Sequence, residues 1–279
     1  MQHFTGSFQG LNETKIFTQH WLPETPPRAV ILLAHGLAEH SGRYIHVAEH
    51  MTQQGYALYT LDHRGHGQSE GMTIQIRNFE DYVADLRTYF DQVRAAHPSL
   101  PIFLYGHSMG SLVALLFAFR YQDELAGLIT TGTALKFAGT NPVLVVLLKG
   151  LSRVLPNVRL VTLAANGVSR DPAVVERYVN DPLVHVGRMR LALVAEVERA
   201  SQKAVRLLPT LRLPYLALHG SADPICMCSA TEIIRQSSGS PDTTVKVYDG
   251  LYHEIHNEPE QAQVLADITT WLEQHLEPV

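Results

Sequence analysis

The residues most suited to chemistry are those of the pentapeptide at positions 106–110, which reads GHSMG. It follows an apolar run over 102–105 and precedes a helical pattern over 111–118. A serine at a tight strand-to-helix turn is held in a strained backbone conformation that exposes its hydroxyl above the sheet, and flanking glycines avoid collisions with the neighbouring strand and helix. The helix that follows directs its N-terminal amides and positive dipole end at the same point. The pattern therefore predicts that Ser108 is a nucleophile.

A serine hydroxyl is a weak nucleophile unless a histidine takes its proton and an acid orients that histidine. At a turn of this kind the acid and then the histidine follow the serine along the chain, each in a loop after a strand. Asp223 follows one strand-like run and His253 follows the next. We therefore predict that Ser108, Asp223 and His253 act together. Asp249 and His256 are the alternatives for the acid and the base.

The negative oxygen that forms when a serine attacks a carbonyl needs two preorganised N–H donors. The amide of Met109, immediately after the nucleophile, is the first candidate. The second is predicted in the segment His35-Gly36-Leu37, which follows the first buried strand pattern. Gly36 permits a close backbone approach, and the amide of Leu37 would be the donor. The alternative interpretation of this segment is a turn that only ends the strand.

Apolar strand-like runs alternate with helical patterns along most of the chain. Residues 4–8 and 16–21 form a predicted antiparallel hairpin. The other predicted strands cover 29–34, 57–61, 102–105, 128–131, 215–218 and 245–248, and the predicted helices cover 44–54, 78–96, 111–120, 230–236 and 260–275. Continuous apolar strands separated by helices indicate an α/β fold with a mostly parallel central sheet and helices on both faces. In such sheets the chemistry gathers at the carboxyl ends of the strands.

One segment, 134–208, interrupts this alternation. It shows helical and loop patterns with no convincing strand, and it is too long for a simple crossover. We predict that it is a helical cap, or lid, inserted into a core formed by 1–133 and 209–279. Residues 143–148, which read VLVVLL, are strongly apolar. They predict a lid surface that docks transiently on membranes or micelles, with a buried strand or helix as the alternative.

The composition excludes several classes of protein. The 279 residues carry a net charge of -5 and no basic block, which argues against a nucleic-acid partner. Cys226 and Cys228 are too close together to brace a large domain, so a reduced, cytoplasmic protein is expected. No secretory signal and no membrane-spanning run are visible, which leaves at most a peripheral membrane association. The pair His63 and His66 lacks a third ligand at plausible spacing, so no metal is predicted.

Six segments together match a wider pattern. They are 35–44 (HGLAEHSGRY), 61–69 (LDHRGHGQS), 106–110, 180–183 (NDPL), 220–223 (GSAD) and 252–253 (YH). On these segments, which extend over essentially the whole chain including the cap, the sequence resembles the monoacylglycerol lipase branch of the α/β-hydrolases, related to bacterial lysophospholipase-type hydrolases. The resemblance implies an α/β-hydrolase fold and hydrolysis of carboxylic esters, with one long acyl chain on glycerol as the expected substrate. It implies neither a cofactor nor a metal.

The resemblance also implies roles for residues outside the predicted triad. Glu39, His40 and Arg43 match residues near the alcohol end of the substrate, and a salt-bridged structural corner is the equal alternative. Tyr178 matches a cap tyrosine that lines the narrow glycerol pocket. Cys226 matches a cysteine near the acid that makes relatives sensitive to thiol reagents, and a small buried packing residue is the alternative.

Two departures from the family pattern leave the substrate open. Ser111 stands where the family often has glycine, and the short loop at 250–254 is similar to that of bacterial members. Lysophospholipase or general carboxylesterase activity is therefore the alternative function. The same scaffold also carries peptidases and non-catalytic binding proteins. A binding protein would tolerate loss of the acid or the base, but in this chain all three triad positions are filled.

Overall fold

A computed structural model describes residues 1–137, 151, 155–162 and 164–276. The apolar segment 143–148, with its predicted docking role, lies outside these ranges. The described strands, in chain order, are β1 Gln2–Gln9, β2 Lys15–Leu22, β3 Ala29–Ala34, β4 Tyr56–Leu61, β5 Ile102–His107, β6 Gly127–Thr131, β7 Arg159–Val161, β8 Met189–Arg190, β9 Tyr215–Gly220 and β10 Thr243–Tyr248.

Eight of these strands form one sheet in the order β1-β2-β4-β3-β5-β6-β9-β10. Strand β2 is antiparallel to both of its neighbours, and all other neighbouring pairs in this eight-stranded sheet are parallel. The mostly parallel sheet and the N-terminal hairpin predicted from the sequence are thus confirmed. Strands β3 to β6 and β9 are buried along their whole length, which explains their continuous apolar sequences.

Helices cover both faces of the sheet. The described helices are α1 Ile45–Gln53, α2 Glu80–Ala96, α3 Met109–Tyr121, α4 Pro172–Asn180, α5 Leu191–Leu207, α6 Ala230–Ser237 and α7 Gln261–Gln274, with short 3-10 turns between some elements. One core, on the face of α2, α3 and α5, includes Phe90 and Phe117. A second core, on the face of α1 and α7, includes Met51 and Trp271. Because both faces of the sheet are packed, the loops at the carboxyl ends of its strands start from fixed positions.

The segment 134–208 differs from its prediction in one respect. The absence of strands was wrong, because β7 and β8 pair as an antiparallel ribbon. Strands of three and two residues are too short to show alternation, and their pairing depends on contacts between segments distant in sequence. Helix α5 packs on the core through residues that include Leu193 and Val197, whereas α4 belongs to a small separate cluster. The boundaries of a cap at 134 and 208 stay a prediction.

No helix in the described part of the chain is long and apolar enough to cross a membrane.

Candidate active site

Ser108 lies at the turn between β5 and α3, at the carboxyl end of the sheet. Its backbone has φ 52° and ψ −120°, a left-handed conformation that is costly for a residue with a Cβ atom. A Cβ on Gly106 would lie 2.4 Å from the carbonyl oxygen of Gly110, and one on Gly110 would lie 2.1 Å from that of Ala34. The two glycines therefore let the turn pack against its own helix and against β3. The Ser111 hydroxyl donates to the Ser108 carbonyl oxygen at 2.5 Å, which braces the turn.

The structure brings Ser108, His253 and Asp223 into one hydrogen-bonded chain. The Ser108 hydroxyl donates to His253 Nε2 at 2.8 Å, and His253 Nδ1 donates to Asp223 Oδ2 at 2.7 Å. All three side chains are almost completely buried. In this geometry the imidazole is held in the tautomer whose free nitrogen lone pair faces the serine hydroxyl, as removal of its proton requires.

Asp223 is held by more than His253. Its Oδ1 accepts from the backbone amides of Ile225 at 2.8 Å and Cys226 at 2.9 Å, and His219 Nε2 lies 3.0 Å from Oδ2. Burial alone would raise the pKa of Asp223, but His253 and His219 together lower it well below its usual range. The carboxylate is therefore ionised and fixed in orientation at neutral pH. His219 was not predicted from the sequence, although its position at the end of β9, four residues before the acid, is a signal that could have found it.

The charges around His253 favour its protonated form. Burial is the largest single effect and lowers the pKa of His253, but the Asp223 carboxylate, together with Glu254 and Glu39, outweighs it. The net pKa lies above the ordinary histidine value. A base whose protonated form is stabilised in this way can hold a proton taken from serine until a leaving group accepts it.

The predicted oxyanion segment approaches the serine closely. A Cβ on Gly36 would lie 3.2 Å from the Ser108 Cβ, so a larger residue there would press on the nucleophile. Two groups hold the Gly36 peptide: its N–H donates to Glu39 Oε1 at 2.6 Å, and its carbonyl accepts from His35 Nδ1 at 2.7 Å. Leu37 and Met109 both line the cavity that contains Ser108. Their roles as oxyanion donors stay a prediction.

Glu39 and Arg43 form a buried ionic corner with Glu254, the residue after His253. One nitrogen of Arg43 contacts Glu39 at 2.5 Å and Glu254 at 2.7 Å, and the other contacts Glu254 at 2.6 Å. Burial alone would raise the pKa of Glu254, but Arg43 lowers it to about 2. This is the arrangement of the salt-bridged alternative, and it links the loop after β3 to the loop that carries His253. Contact of Glu39 or Arg43 with a substrate stays a prediction.

Of the other residues implied by the family pattern, two line the cavity that contains Ser108 and one does not. Tyr178 lines the cavity and packs its ring under the Arg43 guanidinium at 4.7 Å. Cys226 is buried in the cavity wall, and burial raises the pKa of its thiol. His40 bonds Asp181 through Nε2 at 2.9 Å, and it does not belong to the lining formed by the described residues.

The alternative acid and base lie elsewhere. Asp249 accepts from the Ser221 hydroxyl at 3.0 Å on the exposed side of its loop. His256 is buried and stacks on the ring of Tyr44 at 5.0 Å between ring centres. The structure thus brings Asp223 and His253 to the serine in preference to these two residues.

Three comparisons with known proteins show what this chain is similar to. A family model described as "Serine aminopeptidase, S33" matches residues 25–260. The chain is 39% identical to a monoacylglycerol lipase of Mycolicibacterium smegmatis over 97% of both chains. It is 35% identical to the monoglyceride lipase of Rattus norvegicus, over 92% of this chain and 86% of that protein. Among solved structures, the monoacylglycerol lipase of Paleococcus ferrophilus is similar with 30% identity and a TM-score of 0.81, covering 99% and 100% of the two chains.

A serine, a histidine and an aspartate in one hydrogen-bonded chain above the carboxyl ends of a parallel sheet are typical of the α/β-hydrolases. With the family match and the relatives above, the chain belongs to the monoacylglycerol lipase branch of that family and is a carboxylic ester hydrolase.

Proposed function

We propose that this protein hydrolyses monoacylglycerols to fatty acid and glycerol through an acyl-enzyme on Ser108. The observation that carries the proposal is the hydrogen-bonded chain from Ser108 through His253 to Asp223. It is supported by the 39% identity to a monoacylglycerol lipase over nearly the full length of both proteins. Lysophospholipase or general carboxylesterase activity uses the same chemistry and is the alternative.

The first half of the reaction forms the acyl-enzyme. Ser108 Oγ attacks the ester carbonyl carbon while His253 Nε2 takes the hydroxyl proton. The carbonyl oxygen becomes an oxyanion, which the amides of Leu37 and Met109 stabilise. The ester bond to glycerol then breaks, and His253 gives its proton to the departing glycerol oxygen.

The second half releases the acid. Water enters at the position that glycerol has left, His253 takes one of its protons, and the hydroxide oxygen attacks the acyl carbon. A second oxyanion collapses, the bond to Ser108 Oγ breaks, and the proton returns to the serine. Throughout, Asp223 orients the imidazole and stabilises its positive form without taking the proton.

The cavity wall supports a substrate with one apolar and one polar end. Apolar side chains contributed by the segment 134–208, such as Val168 and Val197, line it together with Ile225. Glu39 and Tyr178, which carry polar groups, also line it. We infer that 134–208 is a cap over the strand ends and that it holds the acyl chain, whereas the alcohol lies near Tyr178.

Peptidase activity, which the name of the matching family model suggests, is less well supported by the site. Recognition of a free amino terminus requires an unpaired anionic group. The two carboxylates among the described residues that line the cavity, Glu39 and Glu254, are both paired with Arg43. An ester, which needs no counter-charge, fits this site better.

We also propose that the cap docks transiently on lipid surfaces. The segment exposes the apolar side chains of Val179, Leu183 and Val186, and the exposed Arg188 follows them in the sequence. This combination suits a membrane interface. Sedimentation with phosphatidylcholine vesicles would test it: a Leu183→Ser, Val186→Ser double variant should bind less than the wild type, and an exposed Leu11→Ser control should not.

Release of oleate from monooleoylglycerol tests the proposed function directly. The wild type should turn over monooleoylglycerol faster than oleoyl lysophosphatidylcholine or an aminoacyl naphthylamide. Ser108→Ala should lose activity by a factor of about 10³ or more while keeping its fold. Ser7→Ala, a change on the exposed strand β1, is the matched control. Retained turnover in Ser108→Ala, or preference for the naphthylamide, would contradict the proposal.

A further inference from the structure

The loop that carries His253 is attached to a short piece of the segment 134–208. The amide of Glu254 donates to the carbonyl of Val168 at 2.8 Å, and the amide of His253 approaches the carbonyl of Gly167 at 3.4 Å. The Ser169 hydroxyl donates to the carbonyl of Asn257 at 3.1 Å. The base therefore lies on a loop that two backbone hydrogen bonds and one serine side chain join to 167–169.

One buried carboxylate adds a second link between the His253 loop and this segment. Glu258 is completely buried, and its Oε1 accepts the backbone amides of both Arg170 at 2.9 Å and Tyr252 at 3.2 Å. Its Oε2 accepts from Arg170 Nε at 2.7 Å. Tyr252 directly precedes His253. A single side chain thus contacts the base loop on one side and the segment 134–208 on the other.

A buried carboxylate is stable only when its oxygens are fully hydrogen-bonded and its charge is paired. Glu258 obtains its hydrogen bonds from Tyr252 and Arg170, and Arg170 also supplies its counter-charge. Loss of either partner would therefore destabilise the buried carboxylate. Arg170 also contacts Glu260, but Glu260 is largely exposed and such a pair contributes little. The contact that constrains the loop is therefore the one to Glu258.

We propose that Glu258 is a positioning residue for His253, which it holds within reach of Ser108 by joining the base loop to the segment 167–170 through Arg170. The inference rests on the proposed function, in which His253 is the base. Glu258 is not among the described residues that line the cavity. Its effect is on where the imidazole lies, so it acts on turnover and not on binding of the acyl chain.

Glu258→Gln tests the proposal on a short soluble ester such as p-nitrophenyl butyrate. A glutamine keeps one oxygen for the amides of Tyr252 and Arg170 but presents an NH₂ group to the Arg170 side chain, which is also a donor. We expect kcat to fall about 10- to 100-fold, as displacement of a catalytic group by about 1 Å does, with KM within about twofold of wild type. Glu260→Gln, which changes the exposed partner of the same arginine, should keep wild-type kcat.

Arg170→Ala provides a second test if the glutamine variant folds poorly, because Arg170 is a partly exposed surface residue. We expect the same loss of kcat, and a double variant with Glu258→Gln should lose no more than either single one, since both remove the same contact. Variants with a lower melting temperature but wild-type kcat would overturn the proposal, and so would a raised KM with unchanged kcat.

The rate of Ser108 labelling by a fluorophosphonate separates failure of this proposal from failure of the proposed function. Labelling needs the base but no particular substrate. Slow labelling of Glu258→Gln beside fast labelling of Glu260→Gln supports the positioning role even if monoacylglycerol is not the substrate. Equal labelling rates in these two variants would overturn it, whatever the substrate of the wild type.

Discussion

At the scale of single residues, the reactivity of Ser108 depends on the protonation states of Asp223 and His253. Asp223 accepts from His253, from His219 and from two backbone amides, so its carboxylate is ionised and cannot rotate. That fixed carboxylate determines which nitrogen of His253 faces Ser108. The reactivity of the serine is thus set by a residue that it does not touch.

Replacing Asp223 by Asn should therefore lower kcat by a factor of about 10⁴ with little change in fold. An asparagine that presents its NH₂ group to His253 stabilises the wrong imidazole tautomer, whose protonated nitrogen faces the serine. Steady-state hydrolysis of a short ester, with circular dichroism to confirm the fold, measures the effect. Wild-type turnover in this variant would show that Asp223 is not the orienting acid.

The pH profile should report the raised pKa of His253. The base works in its neutral form, so activity falls as the pH drops through that pKa. Because Asp223, Glu254 and Glu39 outweigh the effect of burial, the acidic limb of kcat/KM should lie above the ordinary histidine value of about 6.5. A midpoint clearly below 6.5 would contradict the electrostatic description of the site.

The three triad residues have clear sequence signals and were predicted, whereas His219 and Glu258 were missed. Ser108 lies in a recognisable pentapeptide, and Asp223 and His253 follow strands in the expected order. His219 and Glu258 act through contacts that only the folded chain creates. A glutamate before a proline has no periodicity or spacing that distinguishes it from a structural residue, whereas the position of His219 four residues before the acid was a signal that was not used.

At the scale of elements, the turn between β5 and α3 is the most constrained part of the fold. Helix α3 approaches β3 so closely that Gly110 has no room for a side chain. The strands of the main sheet and the helices beside them were predicted with ends within a few residues, because each is long enough to show a strand or helix pattern. The ribbon of β7 and β8 was missed, because strands of three and two residues are too short to show an alternating pattern.

Gly110→Ala should consequently destabilise the protein by about 1–3 kcal/mol. The added methyl group would lie 2.1 Å from the carbonyl oxygen of Ala34 and 2.5 Å from that of His35, and backbone must move to admit it. Urea denaturation measures the change. Gly6→Ala on the exposed strand β1, where the nearest atom is the Thr18 hydroxyl at 3.3 Å, should stay within about 0.5 kcal/mol of wild type.

At the scale of the whole molecule, the sheet presents the reacting groups and described residues of the segment 134–208 line the cavity beside them. Ser108 is only 9% exposed, and residues of that segment, among them Val168 and Tyr178, form part of the cavity wall. Sequence alone suggested a cap from the interruption of the strand-helix alternation. It could not show that residues 167–169 of this segment are hydrogen-bonded to the loop of His253.

Such an enclosed site should discriminate by the number of acyl chains. We expect kcat/KM for monooleoylglycerol to exceed that for trioleoylglycerol by a factor of about 100 or more, because two further chains cannot enter with the first. Oleate release from mixed micelles at matched bulk and surface concentrations measures the ratio. Comparable rates on the two lipids would mean that the cap does not enclose the substrate.

Mapping the residue modified by a fluorophosphonate tests the central claim most directly, since it asks whether Ser108 is the activated nucleophile. Digestion and mass spectrometry of the treated protein should place the adduct on Ser108. Excess monooleoylglycerol should slow the labelling, and Ser108→Ala should not be labelled. An adduct on another residue, or hydrolysis of monooleoylglycerol that persists after Ser108 is fully modified, would contradict the claim.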